Sequence, residues 1–277
     1  MTLRDLSVRD PRLAAELRLL REGLHLENKM VAVRVGWSTS KLSRIESATL
    51  GITLNDLNRL LTFYKVPPDD KKALLTFADE QSAARFRYPG DYFSGAQEAA
   101  SVLEWAPLAV PRLLQTADYA QALLESMQPV TGMTPQDVRG MTTDLGRWQD
   151  SLDGNPPLGL RALFDESVLH RLVGDERVMR GQLTQLAKAT ALPDVQLRVL
   201  TWASGGPAGV AGFTCLEFAA VGKLRETTAL LLDKRTGPVR VDDPDEAWRH
   251  TKAFDYLWEA GSPAGPAISQ ALAETWA

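Results

Sequence analysis

Two blocks of different periodicity predict an α-helical head of about five helices followed by an α+β domain with a mostly antiparallel or mixed sheet. Up to residue 87, apolar side chains recur at spacings of three and four, the mark of helices that each bury one face. From residue 91, helical stretches alternate with short apolar runs bounded by Gly, Pro and charged turns, the pattern of strands flanked by helices. The charge changes sign at the same place: residues 1–88 carry a net +4 and residues 89–277 a net −8. The reading is therefore a flexible N-terminus over 1–10, a helical domain over 11–66, a connecting helix and linker over 67–90, and the larger domain over 91–277.

In the head, Leu13, Leu17, Leu20 and Leu24 form the stripe of a first helix opening at Pro11. Val31 and Val35 mark a second, from about Asn28, which Gly36 stops. Ser38 offers an N-cap hydroxyl to a third helix, Thr39 to Glu46, with Leu42 and Ile45 inward. Thr53 with Asp56 resembles a capping box for a fourth, with Leu57, Leu60, Leu61 and Tyr64 inward, ended by Pro67-Pro68. A more polar helix from about Asp69 to Arg87 leads to a break at Tyr88-Pro89-Gly90.

In the larger block, helices are predicted at about 94–104, 117–127, 135–152, 166–172 and 176–190, with a last one from Asp243-Pro244 through Trp258. Strands are predicted at 158–164, 195–200, 212–218, 227–232 and 237–241.

Composition narrows the functional classes. No run approaches the roughly 18 apolar residues of a membrane helix, and the start lacks a basic segment followed by an apolar one, so a soluble cytoplasmic protein is expected. The single cysteine, Cys215, excludes an internal disulfide and any multi-cysteine zinc site. Asp242, Asp243, Asp245 and Glu246 resemble a metal cluster but suit a helix N-terminus better. His170 follows Asp165 and Glu166 without a paired nucleophile. The stretch from Ser204 through Gly206-Pro207 to Gly212 lacks the ending of a phosphate loop. No cofactor, no metal and no enzymatic activity are expected.

The informative motif is the pair of short helices joined by Gly36-Trp37-Ser38. A helix-turn-helix sets its second helix into the DNA major groove, which demands a tight turn, an apolar inner face and polar outward residues. Val31, Val35, Leu42 and Ile45 supply the inner face, and Thr39, Ser40, Ser43 and Arg44 lie on or beside the outer. Short hydroxyl side chains let the backbone approach DNA and bond to bases or phosphates, and Arg44 has the geometry to hold a guanine.

The run from Val31 through Gly36-Trp37-Ser38 and Ser40-Lys41-Leu42-Ser43-Arg44-Ile45-Glu46 resembles the helix-turn-helix of Xre-type, lambda-repressor-like bacterial regulators, in the form found in actinobacteria. Glu104-Trp105-Ala106-Pro107 through Arg112-Leu113-Leu114-Gln115-Thr116 to Tyr119-Ala120 is similar to the opening of the C-terminal domain of WhiJ-like regulators. Asp165-Glu166, Leu169-His170-Arg171, Gly209 to Phe213, and Phe254 to Leu257 resemble it further. The resemblance implies a sequence-specific transcriptional regulator, homodimeric on a pseudo-palindromic double-stranded operator. Its C-terminal domain would bind a small protein encoded by a neighbouring gene, as in antitoxin-like pairs. It assigns Ser38 to the start of the recognition helix, Thr39, Ser40 and Arg44 to base reading, and Lys41 and Ser43 to phosphate or support. Asn28 stands where the family carries a phosphate-binding glutamine, and Glu27 replaces a usual threonine. Arg21 and Glu46 occupy positions of an ion pair between the first and third helices. Trp105, Pro107, Gln115 and Tyr119 become candidates for a partner or ligand surface, from a set of tryptophans that includes Trp148, Trp202 and Trp248. Two other readings stay open: an interaction protein that neutralises a partner with weak DNA binding, and a small-molecule sensor or vestigial enzyme domain.

Overall fold

Asp10 opens the head: its carboxylate accepts from the backbone N–H groups of Arg12 and Leu13 and caps α1 (Pro11–Gly23), with Pro11 in the first turn. The computed structural model describes residues 7–8, 10–85, 96–205, 209–221, 224–234, 237–241 and 243–276. The expected break at Tyr88-Pro89-Gly90, the Gly206-Pro207 turn and Asp242 lie outside the described residues. β1 (Ser7–Val8) pairs antiparallel with β2 (Ile52–Thr53), and Asp10 is buried against Arg12 in an ion pair of 2.8 Å. The Arg12 guanidinium lies 5.2 Å from the Phe77 ring centroid and 5.5 Å from that of Phe218, so aromatic faces replace part of its lost hydration.

α2 (Asn28–Arg34), α3 (Thr39–Glu46), α4 (Leu54–Phe63) and α5 (Pro68–Arg85) complete the helices of this unit. Thr53 caps α4 by accepting from the Asp56 N–H at 3.1 Å. Leu13, Leu17, Val31, Val35, Leu42, Ile45, Leu57, Leu60, Leu61 and Tyr64 meet in one core, and Leu224, far away in sequence, joins it. The chain divides into two compact units, and the first accordingly takes in 218–229 and 240–244 besides residues 1–89. The connecting helix α5 belongs to it through Leu74 and Ala78.

The second unit is built on β3 (Ser101–Ala106), β4 (Gly159–Asp165) and β5 (Val195–Leu200), which run parallel. Parallel pairing requires long crossovers, and helices supply them: α6 (Ala117–Thr131) and α7 (Pro135–Gln149) between β3 and β4, and α8 (Glu176–Ala189) between β4 and β5. Then follow β6 (Phe213–Phe218), β7 (Thr227–Lys234), β8 (Gly237–Val241), α9 (Pro244–Ala260), β9 (Ser262–Pro263) and α10 (Ala264–Glu274). The sheet order is β8-β7-β6-β3-β4-β5-β9, with β6 antiparallel to β3 and β9 antiparallel to β5, a mixed sheet.

Three expectations fail locally. The helix expected over 94–104 is a 3-10 turn at Ala96–Glu98 followed by β3. Residues 102–105 are all buried, so this central strand lacks the alternation that marks a strand with one wet face. The helix expected over 166–172 is a 3-10 turn, Glu166–Leu169. α10 is an addition: its Gly, Pro and Ala content reads as irregular, yet Pro266 sits in the first turn where a missing N–H costs little, and Ile268 and Ala271 are buried.

Candidate nucleic-acid interface

The turn between α2 and α3 is fixed by backbone. Val35 N–H donates to the Val31 carbonyl, Gly36 N–H to Val33, and Trp37 N–H to Ala32 at 2.8 Å. Gly36 has φ +68°, a left-handed conformation open to glycine at little cost. Ser38 then leaves the helical region and its Oγ accepts from the Lys41 N–H at 3.1 Å, satisfying one orphan donor of α3. Val31, Ala32, Val35, Leu42 and Ile45 turn inward and are buried. Thr39, Ser40, Ser43 and Arg44 are all exposed, and at spacings of three and four they form one outward row.

The far end of α3 is anchored as well. The Arg44 carbonyl accepts from the Leu50 N–H at 2.8 Å and the Thr49 hydroxyl at 3.1 Å, so the backbone carrying Arg44 is held while its side chain stays in solvent. Between the helices, Arg21 Nε lies 2.8 Å from Glu46 Oε1 and its Nη2 lies 2.9 Å from Oε2. Arg21 Nη1 also donates to the Leu26 carbonyl at 2.9 Å, tying the α1–α2 turn into the same clamp. The hydrogen bond to Glu46 raises the Arg21 pKa.

Lys41, expected at a phosphate or in support of the base readers, is engaged within the head. Its Nζ lies 2.7 Å from Asp56 Oδ2 and 4.4 Å from the Trp37 ring centroid, which withdraws it from the outward row into a contact between α3 and α4. Asn28 begins α2, half-buried, and no described residue hydrogen-bonds to its buried Oδ1. Glu27 precedes it with no side-chain cap bond, leaving a carboxylate exposed beside the helix start. Sequence spacing missed Arg59. It is exposed on α4, and its Nη2 lies 3.5 Å from where a Cβ on Gly36 would stand, so a cation covers the turn itself. Only the packing of α4 against the turn brings them together.

The structure does not present the candidate partner residues of the second unit as one exposed surface. Trp105 and Tyr119 are buried, as is Gln115. Trp105 Nε1 donates to the Val210 carbonyl, the Gln115 amide to the Val110 carbonyl at 2.7 Å, and the Tyr119 hydroxyl accepts from the Val110 N–H. Pro107 is half-buried. The run from Glu104 to Tyr119 is a hydrogen-bonded knot joining β3 to α6, because a buried loop must pair its own polar groups. At its centre Arg112 donates to Glu104 from its backbone N–H (3.1 Å) and its Nη1 (3.2 Å), to Thr214 Oγ1 (3.1 Å), and through Nη2 to Asp233. Burial pushes the Glu104 carboxyl up, and Arg112 opposes that rise. Of the tryptophans, Trp148 is buried, whereas Trp202 and Trp248 are mostly exposed.

Cys215 is buried, with its thiol pushed up to about 12 by desolvation. His170 packs on Trp202 and shares a hydrogen bond with Thr275. Among the described residues no group of three His, Cys, Asp or Glu side chains is placed to hold a metal ion. Nor is any helix of the described residues long and apolar enough to cross a membrane.

Comparison with known proteins finds two family models that match successive parts of the chain. Residues 12–74 match the model of a helix-turn-helix domain, and residues 90–269 match that of a domain of unknown function, DUF5753. The chain belongs to the DUF5753 family. No curated protein and no solved structure matches it. The DUF5753 protein thus places a helix-turn-helix, of the kind found in DNA-binding regulators, before its family domain. The outward row on α3 lies wholly inside the helix-turn-helix match, and the knot around Arg112 wholly inside the family domain.

Proposed function

We propose that this protein is a sequence-specific, DNA-binding transcriptional regulator of the Xre type. It acts in the cytoplasm without enzymatic activity or a cofactor. The observation that carries the reading is the exposed row Thr39, Ser40, Ser43 and Arg44 on a capped helix whose opposite face is buried. In the major groove, Thr39 and Ser40 approach base edges at the N-terminal end of α3, and Arg44, one turn on, takes the N7 and O6 of a guanine. Arg59, Arg34 and the start of α2 at Asn28 meet phosphates on either side. Two copies on a pseudo-palindrome set their recognition helices about 34 Å apart. The DUF5753 domain then supplies dimerisation and binds a small partner protein or an effector, as the WhiJ-like resemblance implies.

The test is fluorescence anisotropy on DNA from upstream of its own gene, at two salt concentrations, for wild type and Arg44→Ala. The expected result is specific binding that weakens with salt and falls by about tenfold or more in the variant. Equal affinity of wild type for this DNA and random DNA would refute the reading. A second reading has its own support: Lys41 is tied to Asp56 and Glu27 stands exposed beside α2, so phosphate attraction is limited. It makes the protein an antitoxin-like binder that neutralises a partner, and predicts that Arg44→Ala leaves partner binding intact.

A further inference from the structure

Within the second unit, the approach to β6, the end of β7 and one side of α9 line an open cavity of about 440 Å³. Its wall includes Gly212, Phe213, Leu232, Asp233, His250 and Ala253. We propose that this cavity is a binding site for a small organic amine carrying an apolar or aromatic body.

The volume lies within the range of small-molecule sites, roughly 300–1,000 Å³. Phe213, Leu232 and Ala253 give it an apolar surface, with the His250 ring edge-on to Phe213 at 4.9 Å between centroids. Among its polar groups, Asp233 is an acceptor held in place. Asp233 receives Arg112 on Oδ1, and Arg112 is itself fixed by buried Glu104 and by Thr214. No described residue donates to Asp233 Oδ2. A Cβ on residue 212 would come within 2.8 Å of that oxygen, and the φ of Gly212 is not in the left-handed region. Glycine is needed there for the carboxylate to lie in the wall, not to make a turn. Across the cavity, His250 Nδ1 lies 2.8 Å from the Glu246 carbonyl, which only accepts. That nitrogen therefore donates to the carbonyl, and it also lies 3.8 Å from Glu246 Oε2. Arg249, the cation of the wall, is paired with Glu246 at 2.9 Å. A ligand completing this surface brings a donor, best a charged one, to Asp233 Oδ2 at one end and apolar substance at the other.

This deepens the effector-binding part of the proposed function, and its test does not involve DNA, so either can fail alone. Full-length, ¹⁵N-labelled protein is titrated with 2-phenylethylamine and, separately, with 3-phenylpropionate, similar in shape and opposite in charge. The amine is expected to shift the amides of Gly212, Phe213 and Ala253 saturably, with a Kd on the order of 1 mM for so small a probe. Binding of the carboxylate, and of the amine to Asp233→Asn, should be weaker by about tenfold. Ala253→Phe, which fills the cavity from the helix side, should abolish the shifts while the remaining spectrum stays folded. Equal binding of both probes, amine shifts that persist in Ala253→Phe, or no saturable shift in wild type would each overturn the proposal.

Discussion

Reversing charge at the Arg21–Glu46 clamp should cost the head much of its stability, and reversing both charges should return most but not all of it. The pair is nearly buried, with side-chain exposures of 12% and 6%, and is joined by hydrogen bonds of 2.8, 2.9 and 3.1 Å. That places it among pairs whose breaking costs about 3–5 kcal/mol, not among exposed pairs worth about 0–1 kcal/mol. A head of this size has about 4–12 kcal/mol in total. Arg21→Glu or Glu46→Arg alone should therefore lower hydrogen-exchange protection of the Leu13, Leu17 and Leu42 amides by roughly 10²- to 10⁴-fold in the full-length chain. The swap restores the attraction, yet a glutamate at 21 has no donor for the Leu26 carbonyl that Arg21 now satisfies. One unpaired carbonyl costs about 1–3 kcal/mol, so the double variant should remain below wild type. The reasoning fails if either single reversal stays within about threefold of wild-type protection, or if the swap is no better than the worse single variant.

Two further outcomes follow from the same kind of accounting. In Arg112→Met, Glu104 loses the cation that opposes its burial, so its folded-state pKa rises further above the unfolded value. A carboxyl raised in this way contributes stability that is whole below about pH 4.3 and is lost as pH climbs through the folded value. The melting temperature of the second unit in Arg112→Met should therefore fall from pH 5 to pH 8 relative to wild type, by calorimetry; parallel curves would contradict the burial argument. At the head, Arg59→Ala should reduce the salt slope of DNA binding by about one, and Lys41→Met should leave it nearly unchanged. Equal reductions would mean that Lys41 leaves Asp56 when DNA arrives.

The head was legible because its helices are specified locally. Capping residues sit immediately before the helices they cap, and Ser38 and Thr53 do in the structure what their positions promise. The row on α3 follows from helical periodicity alone. What stayed hidden was set by contacts between distant positions. Nothing near Lys41 in sequence announces Asp56, and nothing near Gly36 announces Arg59. In the second unit the start of β3 reads as helix because both its faces are covered, which erases alternation. The Glu104 carboxylate is buried only because Arg112 lies eight residues on and Thr214 on the neighbouring strand. The same non-local pairing explains the fate of Trp105, Gln115 and Tyr119. A recurring polar and aromatic run resembles a surface for partners, but here it is the stitching of a buried loop.

On the proposed reading, DNA affinity has few sources in a single head. The exposed cations of α2, α3 and α4 are Lys29, Arg34, Arg44 and Arg59, with Glu27 standing against them. Proteins whose binding is strongly salt-dependent neutralise about 6–10 phosphates, more than these residues supply. The hydroxyls of Thr39, Ser40 and Ser43 bring specificity through short reach and little attraction. One copy should therefore bind an operator half-site weakly, and useful affinity must come from joining two heads. A second head held at the correct spacing meets its half-site at an effective concentration up to the millimolar range, so two weak contacts become one strong one. That makes the spacing between heads the quantity an effector or partner has to change. Binding measured against protein concentration should then be steep on a palindromic site and shallow on one half-site. Equal steepness on both would place the affinity within one head and leave the larger domain no such lever.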